Sequence, residues 1–283
     1  MTQVLGLIDG SIYSESVCDL AAWVAKRTSA SVELLHVLGR REVSSAPDYS
    51  GNLQIGARRK LLEEISSLDE QRAKLALRRG RLILEEAAAR LSMAGVADVK
   101  TQLRHGDFVE TLQDYEKNAD LVVIGKRGEA ADFAKLHLGS NLERVVRSST
   151  KPMLLASRTY TEPRSFMVAY DGGPSANKAV AHIAQDPLLQ GMEGHLVTVG
   201  SPTSGSANKL EEAAKDLRAF GFVIHTHQLT GEPEKAIAAR VEELDVGMLV
   251  MGAYGHSRIR SLIIGSTTTQ MIRACRIPLL LFR

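Results

Sequence analysis

Two stretches of this chain carry the same five landmarks in the same order. Residues 4–9 read VLGLID, a short apolar run ending on Asp9, and residues 166–171 read FMVAYD, ending on Asp171. Further on, LVVIGKRG (121–128) and MLVMGAYG (248–255) each break an apolar run at glycine. A spacer then leads to Gly-Ser opening a helical pattern, at Gly139-Ser140 and Gly265-Ser266. Each half closes on a proline-led apolar strand, PMLLA (152–156) and PLLLF (278–282). Chance does not supply five ordered landmarks twice, so the chain is two copies of one unit. Its 283 residues allow each copy a core of its own.

Between the landmarks, strand-like and helix-like runs alternate. Strands are expected near 3–8, 32–38, 98–103, 120–124 and 152–156, then near 165–170, 195–199, 222–228, 246–251 and 278–282. Helices are expected near 14–28, 58–93, 107–117 and 140–149, then near 174–184, 207–220, 232–243 and 266–275. The continuous apolar runs LVVIG and MLVMG suit a parallel sheet covered on both faces. The expectation is an α/β chain of two tandem, doubly wound, five-stranded parallel-sheet domains of Rossmann-like type, at 1–158 and 163–283. The polar stretch SRTYTEPR (157–164) would link them.

The copies are unequal. The first carries an excess between about 39 and 75, a polar loop followed by a charged helical run. Leu61, Ile65, Leu68, Leu75, Leu82 and Ala89 share a stripe on that run. A continuous helix over 58–93 would measure roughly 50 Å, so it should break near Gly80 or project along the other half. The stripe is expected to pack on its own protein, with a partner-binding coiled coil as the alternative.

A net charge of +2 and 5% aromatic residues argue against nucleic acid or an anionic membrane as the main partner. No apolar stretch approaches the ~18–20 residues of a membrane span. The opening MTQVLGLIDGS lacks a basic n-region, and Asp9 interrupts its apolar run, unlike a signal peptide. Cys18 and Cys275 match no metal or redox spacing and read as inert buried thiols. A soluble, cytoplasmic protein is the expectation.

The chemistry gathers in the second copy. Gly252-Ala-Tyr-Gly255 is followed by nine residues and then Gly265-Ser266. Glycines let a backbone approach an anion closely, and a helix N-terminus offers unpaired N–H groups and a positive dipole end. Ser266 and Thr267 add hydroxyls, Thr267 and Gln270 fit a capping box, and His256, Arg258 and Arg260 bias the spacer towards anions. Ligands of such folds bind at the carboxyl edge of the sheet, where Asp171 also falls. Against this stands a simpler reading, in which the glycines serve tight turns and Asp171 serves a turn or helix start.

The pattern G-x2-G-x9-G-[S/T] after a strand, with Asp ending the first strand, resembles the universal stress protein family. The resemblance spans both halves, and MGAYGHSRIRSLIIGS is among its more specific stretches. It implies a fold related to adenine-nucleotide hydrolases and, in one branch of the family, ATP (or AMP or ADP) held with a divalent ion, Mg. Asp171, with Ala169 beside it, would then contact adenine or ribose, and Val199 would contribute backbone contacts to the base. Met251 and Gly252 would border the ribose, and Gly255, Gly265, Ser266 and Thr267 would hold the phosphates, with Tyr254 flanking the ligand. The two halves would pair through 152–156 and 278–282, which leaves a homodimer of whole chains open.

The first copy departs from that pattern. Ten residues separate Gly128 from Gly139, and Glu129 and Asp132 make the loop acidic. Glu143, three after Ser140, would compete with a phosphate for the same N–H groups. Lys126 and Arg127 are expected to offset this in part, and a structural or regulatory copy is the preferred reading. His225 and His227 share a strand face but lack a third ligand, so they read as a solvated pair; His36, His105 and His195 read as packing or hydrogen-bonding residues. No Ser-His-Asp set or P-loop stands out. The leading function is a stress-response nucleotide-binding regulator. A slow ATP hydrolase or nucleotidyl transferase, with His256 as its only nominee for a base, and a scaffold or apolar-ligand binder are the rivals.

Overall fold

The computed structural model describes residues 1–39, 55–127, 140–200, 204–253 and 266–283. The first half runs β1 (Gln3–Leu7), α1 (Ser14–Thr28), β2 (Ser31–Leu38), α2 (Ile55–Met93), β3 (Val99–His105), α3 (Phe108–Tyr115), β4 (Leu121–Gly125), α4 (Ser140–Ser148) and β5 (Met153–Ala156). The second runs β6 (Ser165–Ala169), α5 (Pro174–Gln185), β7 (Glu193–Val199), α6 (Ser204–Ala219), β8 (Val223–Leu229), α7 (Pro233–Glu243), β9 (Met248–Gly252), α8 (Ser266–Ala274) and β10 (Leu279–Phe282). Among the described residues, two short 3-10 turns, Glu116–Asn118 and Pro187–Leu189, were not anticipated by the periodicity.

The strands form one ten-stranded sheet in the order β3-β2-β1-β4-β5-β10-β9-β6-β7-β8. All pairings within a half are parallel. The halves meet where β5 and β10 pair antiparallel, with Leu155 beside Leu279, Leu154 beside Leu280 and Met153 beside Leu281. The two expected five-stranded sheets are thus fused edge to edge, which removes one exposed edge from each.

Alternate strand residues feed two apolar layers, as the pleat requires. Val4, Val32, Leu34, Phe166 and Val168 face α1, the C-terminal part of α2, α5 and α6. Leu5, Leu7, Leu35, Met167 and Val197 face α3, α4, α7 and α8. Each layer draws on both halves, and full burial of one such side chain contributes about 1.5–3 kcal/mol. Among the described residues no helix is long and apolar enough to cross a membrane.

Helix α2 corrects two expectations. It is continuous over 39 residues and does not break at Gly80. A Cβ on Gly80 would lie 2.8 Å from Leu103 Cδ1 and 3.0 Å from the His36 ring, so glycine here permits close helix–sheet approach. The helix packs on α1, β2 and β3 of its own half rather than along the other. Its buried stripe is Gly80, Leu84, Ala87 and Leu91. The stripe expected to pack is the other one: Leu68, Leu75 and Leu82 are 52%, 65% and 51% exposed. Rotating about 100° per residue puts Leu82 on the opposite side of the helix from Gly80 and Leu84.

Polar caps cross the seam between the halves. Arg27, at the end of α1, donates to the carbonyls of Leu188 and Gln190 and stacks on Trp23, its guanidinium carbon 5.6 Å from the ring centre. Arg283 donates to the carbonyls of Arg147 and Ser149, at the end of α4. Lys126 reaches the other way, to the carbonyls of Cys275 (2.6 Å) and Ile277 (2.7 Å) beyond α8. Each cation meets the negative end of a helix or turn. Cys18 and Cys275 are free and buried, and burial pushes the Cys18 thiol up to about 12.

Candidate functional site

The carboxyl ends of β9, β6 and β7 lie side by side. Ala169, the last residue of β6, has Val197 on one side and Met251 on the other. From β6 the chain winds outward to β7 and β8, then returns to place β9 on β6's other flank. The strand order therefore reverses between β6 and β9, the switch point at whose carboxyl ends folds of this kind place their ligands.

Asp171 follows β6 and is exposed. Its Oδ1 accepts the N–H of Gly173 at 2.8 Å and so fixes the turn into α5. The turn role is real, and the carboxylate still faces solvent at the sheet edge. Before it, Tyr170 donates its hydroxyl to Asn177 Oδ1 at 2.6 Å, and burial followed by the nearby Asp171 charge raises its pKa. Ala169 and Val199 are half-buried at their strand ends.

Met251 is only 6% exposed and packs into the layer beneath α7 and α8, so only its backbone serves the edge. Gly252 has a packing reason of its own. A Cβ there would fall 2.7 Å from Ser175 Cβ and 3.1 Å from the backbone nitrogen of Ala176. The equivalent Gly125 would meet Tyr13 Cβ at 2.7 Å, so this glycine belongs to the fold of both copies.

Ser266 opens α8, whose first turn holds no acidic residue. No carboxylate within that turn offsets its N-terminal N–H groups and dipole end. Thr268, within that first turn and 3% exposed, donates its hydroxyl to the carbonyl of Ala253 at 3.0 Å. That bond ties the start of α8 to the end of β9. Sequence reasoning missed Thr268, although a third hydroxyl in STTTQ, facing inward by spacing, was its signal. Gly255, Gly265, Tyr254, His256, Arg258 and Arg260 lie outside the described residues, as does the loop between Gly128 and Gly139.

In the first half, Asp9 Oδ1 accepts from the Ser11 N–H at 3.0 Å and lies 3.3 Å from Ser14 Oγ. Glu143 stands in the first turn of α4, where α8 has no acid. Lys126, expected to offset that acid in part, directs its ammonium across the seam instead. It is 6% exposed, committed to the seam, and burial pushes its ammonium down to about 8.

Three histidines gather on one face of β7 and β8. His195 Nδ1 lies 3.1 Å from His227 Nε2, and His225 Nε2 lies 2.9 Å from Glu193 Oε1. Desolvation lowers the pKa of both His195 and His227. His225 and His227 thus have a third histidine beside them, but no group of three or more His, Cys, Asp or Glu is arranged to hold a metal among the described residues. His36 is buried, with Nδ1 2.8 Å from the Ile8 carbonyl, as a hydrogen-bonding histidine should be.

A parallel sheet with reversed strand order, covered on both faces and present twice, defines a tandem Rossmann-like α/β protein. The model of the universal stress protein family matches residues 1–157 and 200–283, and the chain belongs to that family. It is 35% identical over 287 residues to the universal stress protein Slr1230 of Synechocystis, with all of both chains covered. A universal stress protein of Mycolicibacterium smegmatis is 20% identical over 98% of this chain and 95% of its own length. Among solved structures, a universal stress protein from Archaeoglobus fulgidus superposes with a TM-score of 0.76 at 22% identity, covering 99% of this chain and 96% of that one.

Proposed function

We propose that this universal stress protein is a stress-response regulator that holds one adenine nucleotide per chain, ATP or its AMP or ADP forms, in the second of two domains, 1–158 and 163–283. The observation that carries the reading is the start of α8. An acid-free N-terminal turn is pinned by Thr268 to the strand end bordering the switch point between β6 and β9. Phosphates would sit on the N–H groups of Ser266 and Thr267, with the Gly255 and Gly265 backbone closing around them. Asp171 is the acceptor for a ribose hydroxyl or the adenine amino group, and Ala169, Val199, Met251 and Gly252 supply the backbone floor. Magnesium, when bound, would neutralise phosphate charge, and the exposed Asp171 and the acid-free helix start suit an anion carrying it. The acid at the start of α4 and the commitment of Lys126 to the seam support a structural first copy.

Mass spectrometry of small molecules released from the purified protein tests this directly. Adenine nucleotide near one per chain is the expected result. None released, with no affinity for added Mg-ATP by calorimetry, would sink the proposal.

A further inference from the structure

The leucines that α2 turns away from its own core form a ladder. Leu68, Leu75 and Leu82 recur at intervals of seven, the period of a coiled-coil seam, and each is more than half exposed. Three large apolar side chains in line on one exposed helix face mark an interaction surface. The flanking charges say what covers it. Residues 62–70 hold Glu63, Glu64, Asp69 and Glu70 and no base, whereas 71–81 hold Arg72, Lys74, Arg78, Arg79 and Arg81 and no acid. Within 62–81 the helix is acidic before Gln71 and basic after it; Arg58, Arg59 and Lys60 precede that stretch and Glu85 and Glu86 follow it, again with opposite signs about Gln71.

We infer that α2 pairs antiparallel with α2 of a second copy of this chain, about a two-fold axis beside Gln71. Reversal about that point lays the acidic block of each helix along the basic block of the other. Glu64 comes opposite Arg78 of the second copy, and Leu75 fits between its Ile65 and Leu68. A parallel pairing would set acid on acid and base on base, which costs affinity. Within one helix Lys74 pairs with Glu70 at 2.6 Å and Arg72 with Asp69 at 3.9 Å. Such exposed, solvent-screened pairs are weak and exchange readily for pairs across an interface. The ladder faces away from β2 and β3, so the second helix docks without disturbing the sheet. The sheet's own seam is already filled within the chain by β5 and β10, so this is a separate surface.

Sedimentation equilibrium of the full chain at low salt should give twice the 30.8 kDa chain mass, falling towards the single mass as salt rises. Leu68→Lys with Leu75→Lys should give the monomer with an unchanged circular dichroism spectrum and melting temperature. A wild-type monomer at high protein concentration, or a dimer that survives the double change, overturns the proposal. Orientation is read by a short bismaleimide. Glu64→Cys and Arg78→Cys proteins should cross-link when mixed and not separately, because positions 64 of the two copies stand about 21 Å apart along an antiparallel pair. Cross-linking of Glu64→Cys to itself would instead show a parallel pair.

Discussion

Lys126 Nζ and the Cys275 carbonyl oxygen lie 2.6 Å apart, so the residue that follows β4 in one half closes the last turn of α8 in the other. The ammonium is buried at the seam, and desolvation holds it near 8, below the 10.5 of a free lysine. Lysine is there as a donor to two carbonyls rather than as a surface charge.

The shift fixes a pH dependence. The folded pKa lies below the unfolded one, so the desolvation cost is fully present below about 8 and is relieved as pH rises towards 10.5. The neutral amine keeps its hydrogen bonds. Lys126→Met should cost about 1–3 kcal/mol at neutral pH through its orphaned carbonyls. The wild type should then gain on the variant by on the order of 3 kcal/mol between the two pKa values. Urea denaturation of both proteins across that range checks the sign; a gap that narrows with pH contradicts it.

Thr268→Val keeps the shape and removes the bond to Ala253. With one buried carbonyl unsatisfied, a stability loss of about 1–2 kcal/mol is expected. Calorimetry with Mg-ATP should also show affinity reduced about 3- to 10-fold as the helix start loosens from β9. Unchanged affinity in a folded variant would mean that Thr268 only staples the fold.

Gly252→Ala and Gly125→Ala provide a matched pair. Both place a methyl against Cβ atoms, and Gly252→Ala also meets the α5 backbone. Each should lower stability by about 1–3 kcal/mol, visible as a drop of several degrees in melting temperature. Only the second-half change should alter nucleotide affinity as well. In the same way Gly265→Val should abolish binding, and Gly139→Val should leave it intact.

The His195 cluster sets an acid limb. Its folded pKa is lowered, so stability is present above the ordinary histidine value and is lost as pH falls below it. His195→Gln should flatten the fall in melting temperature on the acid side of neutrality. A limb of unchanged steepness would point to other groups.

The strand and helix order was legible because alternating β and α runs repeat the same landmarks, and repetition corrects local ambiguity. Asp171 and the start of α8 at Ser266 could be placed because strand ends and helix starts announce themselves in sequence. The packing face of α2 could not. The leucine spacing chose the exposed stripe, whereas the buried one runs through Gly80 and Ala87, small residues admitted by the closeness of Leu103 and His36. Lys126 was misjudged for a related reason. Its partners sit about 150 positions away, across the seam, and no local pattern reports them. Thr268 hid among three consecutive threonines whose roles differ only by direction.

Pairing β5 with β10 inside one polypeptide has a genetic consequence. Two separate chains meeting through that edge would be identical, so every substitution would strike both sites at once. Here the partner is always present and always the other copy, at an effective concentration that dilution does not change. Each half is then free to drift alone. A glutamate can enter the start of α4 while α8 keeps its first turn clear, and the lopsided pair still assembles without having to sort itself from symmetric ones.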